Sequence, residues 1–123
     1  MAQQPSIPLP GQPVRGSQSG APIMALLDLL GHRWALGILW VLAEGGPCSF
    51  NTLQGKCSGI SPGVLNTRLK ELKLANLVVQ SPDGYQVSPL GGELFTLIGP
   101  LGNWARESWA RSFEPGPNDK QGQ

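Results

Sequence analysis

Cysteine and histidine are scarce in this sequence, which has only Cys48, Cys57 and His32 in 123 residues. Two cysteines are too few for a disulfide framework, and no Cys-x-x-Cys or Cys/His ligand spacing is present. The sequence therefore predicts no structural zinc, no other metal and no cofactor, and its cysteine usage fits a reducing cytoplasm. Long apolar runs are also missing. No stretch approaches about 18 uninterrupted apolar residues, so neither a secretion signal nor a membrane partner is expected. No serine, cysteine or carboxylate stands beside His32 in a catalytic spacing, and there is no phosphate-cradling loop, so the chain reads as a non-enzyme. An excess of charge of one sign is lacking too, at a formal net charge of +1. Bulk charge alone thus gives no sign of a nucleic-acid partner.

The distribution of charge says more. Between Ser49 and Gln80 stand Lys56, Arg68, Lys70 and Lys73 against one acid, Glu71, while the remainder carries five basic and seven acidic residues. Residues 1–20 are rich in Pro, Gln, Ser and Gly, with Arg15 their only charge, and read as a disordered tail. Residues 114–123 read the same way. That leaves 21–113 as a single folded domain, about the size that one modest core can support.

Within that span Pro22 opens a short helix ending near Gly31. An almost wholly apolar second helix is expected from His32 to Glu44, where Gly45, Gly46 and Pro47 stop it. Ser49 can cap a third, short helix with Phe50 and Leu53 inward. Ser61 and Pro62 form a strong start signal for a fourth helix running to Leu74. On it Leu65, Leu69 and Leu72 share the inward stripe, and Gly63, Asn66, Thr67 and Lys70 fall opposite. Leu77 to Gln80 and Tyr85 to Val87 read as strands around an Asp-Gly turn, Ser81 to Gly84. Ser88 and Pro89 then start a C-terminal helix, with distortion expected at Gly99 and Pro100. The order predicts an α+β, mostly helical fold: a winged helix-turn-helix with a two-stranded β-hairpin wing and terminal helices available for dimerisation.

The segments PIMALLDLLGHRWALGILWVL, GPCSFNTLQGKCSGISPGVLNTRLKELKLANLV, YQVSPLG and a final helix containing LGNW extend the reading. Together they carry Arg33-Trp34, the Phe-Asn-x-Leu of Phe50 to Leu53, Ile-Ser-Pro at Ile60 to Pro62, and Arg-Leu-x-x-Leu at Arg68 to Leu72. In this order they resemble the HxlR-type family of bacterial winged-helix transcription regulators across residues 21 to about 109. The resemblance implies a cytoplasmic homodimer with the Ser61 to Leu74 helices in successive major grooves of a pseudo-palindromic double-stranded DNA site, and an unknown small-molecule effector.

On this reading Asn66 and Thr67 are candidates for base edges, Asn pairing bidentately with adenine. Arg68, Lys70 and Lys56 are candidates for phosphates, with Thr52, Ser61 and Pro62 beside them and Gly63 allowing close approach of the backbone. Ser81, Asp83 and Gly84 form the wing tip. Ile23, Leu26, Leu27 and Trp34, with Leu97, Leu101 and Trp104, are expected at the dimer interface. Trp40 and Trp109 read as packing or subunit contact before effector pocket, and His32 as a helix-start residue near the dimer surface.

Three departures from the family pattern stand out. Ala21 occupies the position where many members carry a switch cysteine, Ser49 the position of a frequent arginine, and the wing has Asp83 but no Lys or Arg. The last two remove counterion-releasing contacts, and they motivate an alternative: a winged-helix scaffold for protein interaction or small-molecule sensing, with weak or no DNA binding. Cys48 and Cys57 flank a helix that should hold them roughly 10 Å apart, beyond the about 7 Å that a disulfide spans. They read as small buried hydrophobes.

Overall fold

Three helices open with a proline, where the missing N–H would have had no helical partner anyway: α1 (Pro22–Leu30), α4 (Pro62–Leu74) and α5 (Pro89–Trp104). Between them lie α2 (Ala35–Gly45), α3 (Phe50–Lys56) and an antiparallel hairpin, β1 (Val78–Ser81) and β2 (Gly84–Val87), in register Val78↔Val87 to Ser81↔Gly84. The computed structural model describes residues 6–115. The chain divides at Gly92 into two compact units, α5 beginning in the first and continuing in the second.

The first unit holds the core. Ile38, Leu39 and Leu42 of α2, the inward stripe of α4, Leu65, Leu69 and Leu72, and Leu53 and Val78 are all under 2 % exposed or at that limit. No single helix among the described residues is long and apolar enough to cross a membrane. Serines fix the joints. Ser49 and Ser61 accept backbone N–H bonds from Thr52 and Val64, capping α3 and α4 as expected. Ser88 accepts from the Gly91 N–H (2.9 Å) and donates to the Asn76 carbonyl (2.7 Å), tying the start of α5 to the end of α4. Gly91 has no room for a side chain there, since a Cβ would lie 2.1 Å from the Leu77 carbonyl oxygen.

The structure differs from the sequence reading at four places. The second helix starts at Ala35 and not at His32, because Trp34 sits at φ 76° and turns the chain, so that α1 and α2 meet at 87°. The Arg33 guanidinium lies 5.6 Å from the Trp34 ring centre on this turn. The hairpin also pairs on its far side with Cys48, which exchanges two backbone hydrogen bonds with Tyr85 (2.8 and 2.9 Å).

Residues 6–20 fold back where a tail without structure is expected. Gly11, at positive φ, donates to the Gly20 carbonyl (2.8 Å), Val14 and Ser17 exchange two bonds, and the Arg15 N–H donates to the Asp28 carboxylate (3.2 Å). Residues 1–5 and 116–123 of the two expected tails lie outside the described residues.

Finally, α5 runs through Gly99 and Pro100 without a break. Pro100 removes one helical hydrogen bond, but it and Thr96, whose carbonyl loses the donor, are exposed to water. The helix instead widens into a π-helical turn over Ala105–Trp109, followed by a 3-10 turn, Ala110–Phe113.

Candidate nucleic-acid interface

Because Leu65, Leu69 and Leu72 are held in the core, the opposite side of α4 must face solvent. Gly63, Asn66, Thr67 and Lys70 are all exposed there, next to Ser61 and Pro62 at the capped N-terminus. The Thr67 hydroxyl donates to the Gly63 carbonyl (3.0 Å), which leaves its oxygen lone pairs outward. A Cβ built on Gly63 meets nothing within 4 Å, so no neighbour in the fold requires glycine at this position.

The preceding turn is braced from α3. Gln54 donates through Nε2 to the Ile60 carbonyl (3.3 Å), just ahead of the α4 cap. Thr52 is exposed and accepts from the Ser49 hydroxyl (3.0 Å). The Lys56 ammonium lies 3.0 Å from where a Cβ on Gly45 would stand, at the C-terminal turn of α2, an end that favours a cation.

Arg68 departs from its expected role. Its Nε donates to the Arg33 carbonyl (2.8 Å) and its Nη1 to Glu71 Oε1 (3.1 Å), so the guanidinium points back to the α1–α2 turn and not outward to a phosphate. Glu71, only 7 % exposed, also lies 3.3 Å from His32 Nδ1. A carboxylate so far from water needs charged or donating partners, and Arg68 and His32 supply them. The cluster locks the middle of α4 onto the turn between α1 and α2. Sequence reasoning missed Glu71. The available signal was angular: at about 100° per residue Arg68 lies about 40° from Leu72 but about 160° from Asn66.

Lys73 is also engaged, donating to Gln80 Oε1 (3.1 Å) with its ammonium 5.8 Å from the Tyr85 ring centre. At the wing tip the Asp83 N–H donates to the Ser81 hydroxyl (3.2 Å), and the Asp83 side chain is exposed. A Cβ on Gly84 would come within 2.5 Å of the Cys48 carbonyl oxygen, so this glycine seats the hairpin on the segment before α3.

The expected interface residues separate into groups. Ile23 and Leu27 are more than half exposed on α1, whereas Leu26 is half-buried. Trp34 is half-buried with its ring 3.8 Å from where a Cβ on Gly59 would stand, packed on its own unit. In the second unit Leu97, Leu101 and Trp104, at helical spacing, are 73 %, 55 % and 55 % exposed. Cys48 and Cys57 are both buried with free thiols.

A model of HxlR-like helix-turn-helix proteins matches residues 29–113. The chain belongs to this family. The HxlR-like frame covers everything from the end of α1 to the end of the 3-10 turn. Among proteins, an uncharacterized HTH-type transcriptional regulator of Halalkalibacterium halodurans is 29 % identical over 90 residues, 68 % of this chain and 80 % of the relative. Among solved structures, quinone-bound YodB from B. subtilis superposes with a TM-score of 0.63 at 29 % identity, covering 69 % of this chain and 96 % of that one. A possible HxlR family transcriptional factor from Thermoplasma volcanium gives 0.60 at 28 % identity, covering 66 % and 78 %. The chain is a winged-helix transcription regulator of the HxlR type, a class whose helix-turn-helix implies DNA binding.

Proposed function

We propose that this HxlR-type regulator acts in the cytoplasm as a homodimer on a pseudo-palindromic site, each α4 entering a major groove. The observation that carries this reading is the N-terminal half of α4. Gly63, Asn66, Thr67 and Lys70 form a small, polar, exposed face at a capped helix end, on an element anchored to the core by three leucines and to the α1–α2 turn by Arg68 and Glu71. Such a face suits a groove about 12 Å wide. Asn66 and Thr67 meet base edges, and Lys70, with Lys56, meets phosphate. The exposed residues Ile23 and Leu27 of α1, and Leu97, Leu101 and Trp104 of α5, support the homodimer because water-facing apolar stripes of this kind call for cover.

The test is fluorescence anisotropy of the purified protein on its own upstream region and on unrelated DNA. Asn66→Ala is expected to weaken specific binding roughly tenfold, within the about 1–3 kcal/mol of a bidentate base contact, and to leave non-specific binding unchanged. Equal loss on both DNAs would remove Asn66 from base reading. A second reading, a protein-interaction or ligand-sensing scaffold, is favoured by the exposed Asp83 at the wing and by the inward commitment of Arg68. It prevails if no DNA is retarded at micromolar protein and low salt.

A further inference from the structure

One pocket of the first unit has no part in the DNA-facing surface. Its walls are the segment Ile7 to Pro10, the α1 residues Ala25, Leu26 and Leu29, and the joint between α4 and β1 around Leu74, Asn76 and Leu77. Its volume is about 300 Å³. None of its lining residues is charged, and Asn76 supplies the one polar side chain among them. Prolines with fixed φ, Pro8, Pro10 and Pro22, stand in its walls and resist collapse. At its floor Asn76 turns the chain at φ 66°, held by the Ser88 hydroxyl on its carbonyl (2.7 Å).

We propose that this pocket is a binding site for a neutral, largely apolar small molecule of about two fused or linked rings. Size and lining both argue for that class. An apolar cavity of about 150 Å³ stays dry and takes up benzene, so one of twice the volume accommodates a molecule about twice as large. A lining without charge offers nothing to offset the desolvation of an ionic ligand.

The site also has a route to the reading helix. Its floor is the point where α4 passes into β1, through the Leu77 N–H on the Leu72 carbonyl (3.0 Å) and the Ser88 N–H on the Leu77 carbonyl (3.0 Å). An occupant pressed between the 7–10 segment and this joint biases the position of α4 relative to the wing. This coupling, unlike the binding itself, rests on the DNA-binding reading above.

The probe is 1-aminonaphthalene, uncharged at neutral pH and fluorescent in apolar surroundings, titrated into the full chain. Saturable uptake of one molecule per chain is expected, with a rise in Tm at saturation. Naphthalene-1-sulfonate, of similar shape but charged, should bind at least tenfold more weakly. Leu74→Trp and Leu26→Trp, each filling the pocket from a part-exposed position, should each weaken uptake at least tenfold while keeping the helical circular dichroism signal. Non-saturable partitioning, equal binding of the sulfonate, or undiminished binding in both variants would overturn the proposal. So would uptake that falls as protein concentration rises, which would mean that a second copy covers the site. With saturating probe, the affinity for the upstream DNA should change at least threefold. Probe binding without any DNA binding would sink the regulator reading and leave the pocket standing.

Discussion

Apolar residues are placed in opposite ways on the two sides of Gly92. Among the described residues every buried hydrophobic one lies between Ala25 and Val78, and none beyond Glu93 is buried. The first unit is amphipathic in the ordinary sense, each helix turning one stripe inward. In the second, Leu94, Phe95 and Ile98 are only half-buried, and Leu97 at 73 % and Phe113 at 71 % exposed face water. The contrast shows that the first unit builds a core of its own, although Ile23 and Leu27 of α1 still face water, whereas the second buries none of its apolar side chains within this single copy.

The sharpest test pairs one leucine from each side. Leu39→Ala removes a fully buried side chain from the centre of α2 and is expected to cost about 2–5 kcal/mol of unfolding free energy, read by urea denaturation. Leu97→Asn touches no core. At concentrations low enough to keep the protein monomeric it should change stability by no more than about 0.5 kcal/mol. A loss at Leu97 as large as that at Leu39 under those conditions would abolish the contrast. The second expected effect concerns assembly. Leu97→Asn combined with Leu101→Asn should give a single 13.1 kDa species in sedimentation at concentrations where the unaltered protein runs at twice that mass. A 13.1 kDa species for both proteins would leave the exposed stripe without a second copy to cover it.

What the sequence made legible, and what it did not, follows the range of the forces involved. Ser49, Ser61 and the prolines at 22, 62 and 89 act within one helical turn, so helix starts could be read directly, and the residues on the outward face of α4 followed from its leucine spacing. The start of α2 could not. Only the fold shows Trp34 in a left-handed turn beside Gly59. Cys48 pairs with Tyr85 across 37 residues of sequence, a contact that no local pattern encodes. Arg68 is the instructive miss at the candidate site. Its charge suggested phosphate, whereas its angular position near Leu72 already put it at the edge of the inward stripe, within reach of Glu71 and the Arg33 carbonyl.

That miss yields the third test, again a pair. Lys70→Ala should lower the slope of log affinity against log salt by about 1, because one phosphate contact and its released counterion are lost. Arg68→Ala should leave the slope unchanged and instead cost about 1–3 kcal/mol of stability, because Glu71 is left buried with a partner missing. The outcome that would restore Arg68 to the DNA surface is a reduced salt slope with stability unchanged.

The smallest expected effect concerns Cys57, at the C-terminal cap of α3. Burial pushes its thiol up from the ordinary value, and the neighbouring Cys48 pushes in the same direction. Both causes penalise the thiolate, so Cys57 is protonated and unreactive at neutral pH, and alkylation by iodoacetamide should be slower than for a free thiol. The folded state holds this proton more tightly than the unfolded chain. Stability is therefore unaffected by this group below the unfolded thiol pKa of about 8.5, and it falls as pH rises from there through the folded value. Urea unfolding between pH 7 and pH 10 should thus show a steeper alkaline loss in the unaltered protein than in Cys57→Ala. Comparing the two cancels the titration of tyrosine and lysine, which they share. Parallel curves would mean that the thiol is as free to ionise in the fold as outside it, and that the environment at the end of α3 is wetter than its 6 % exposure implies.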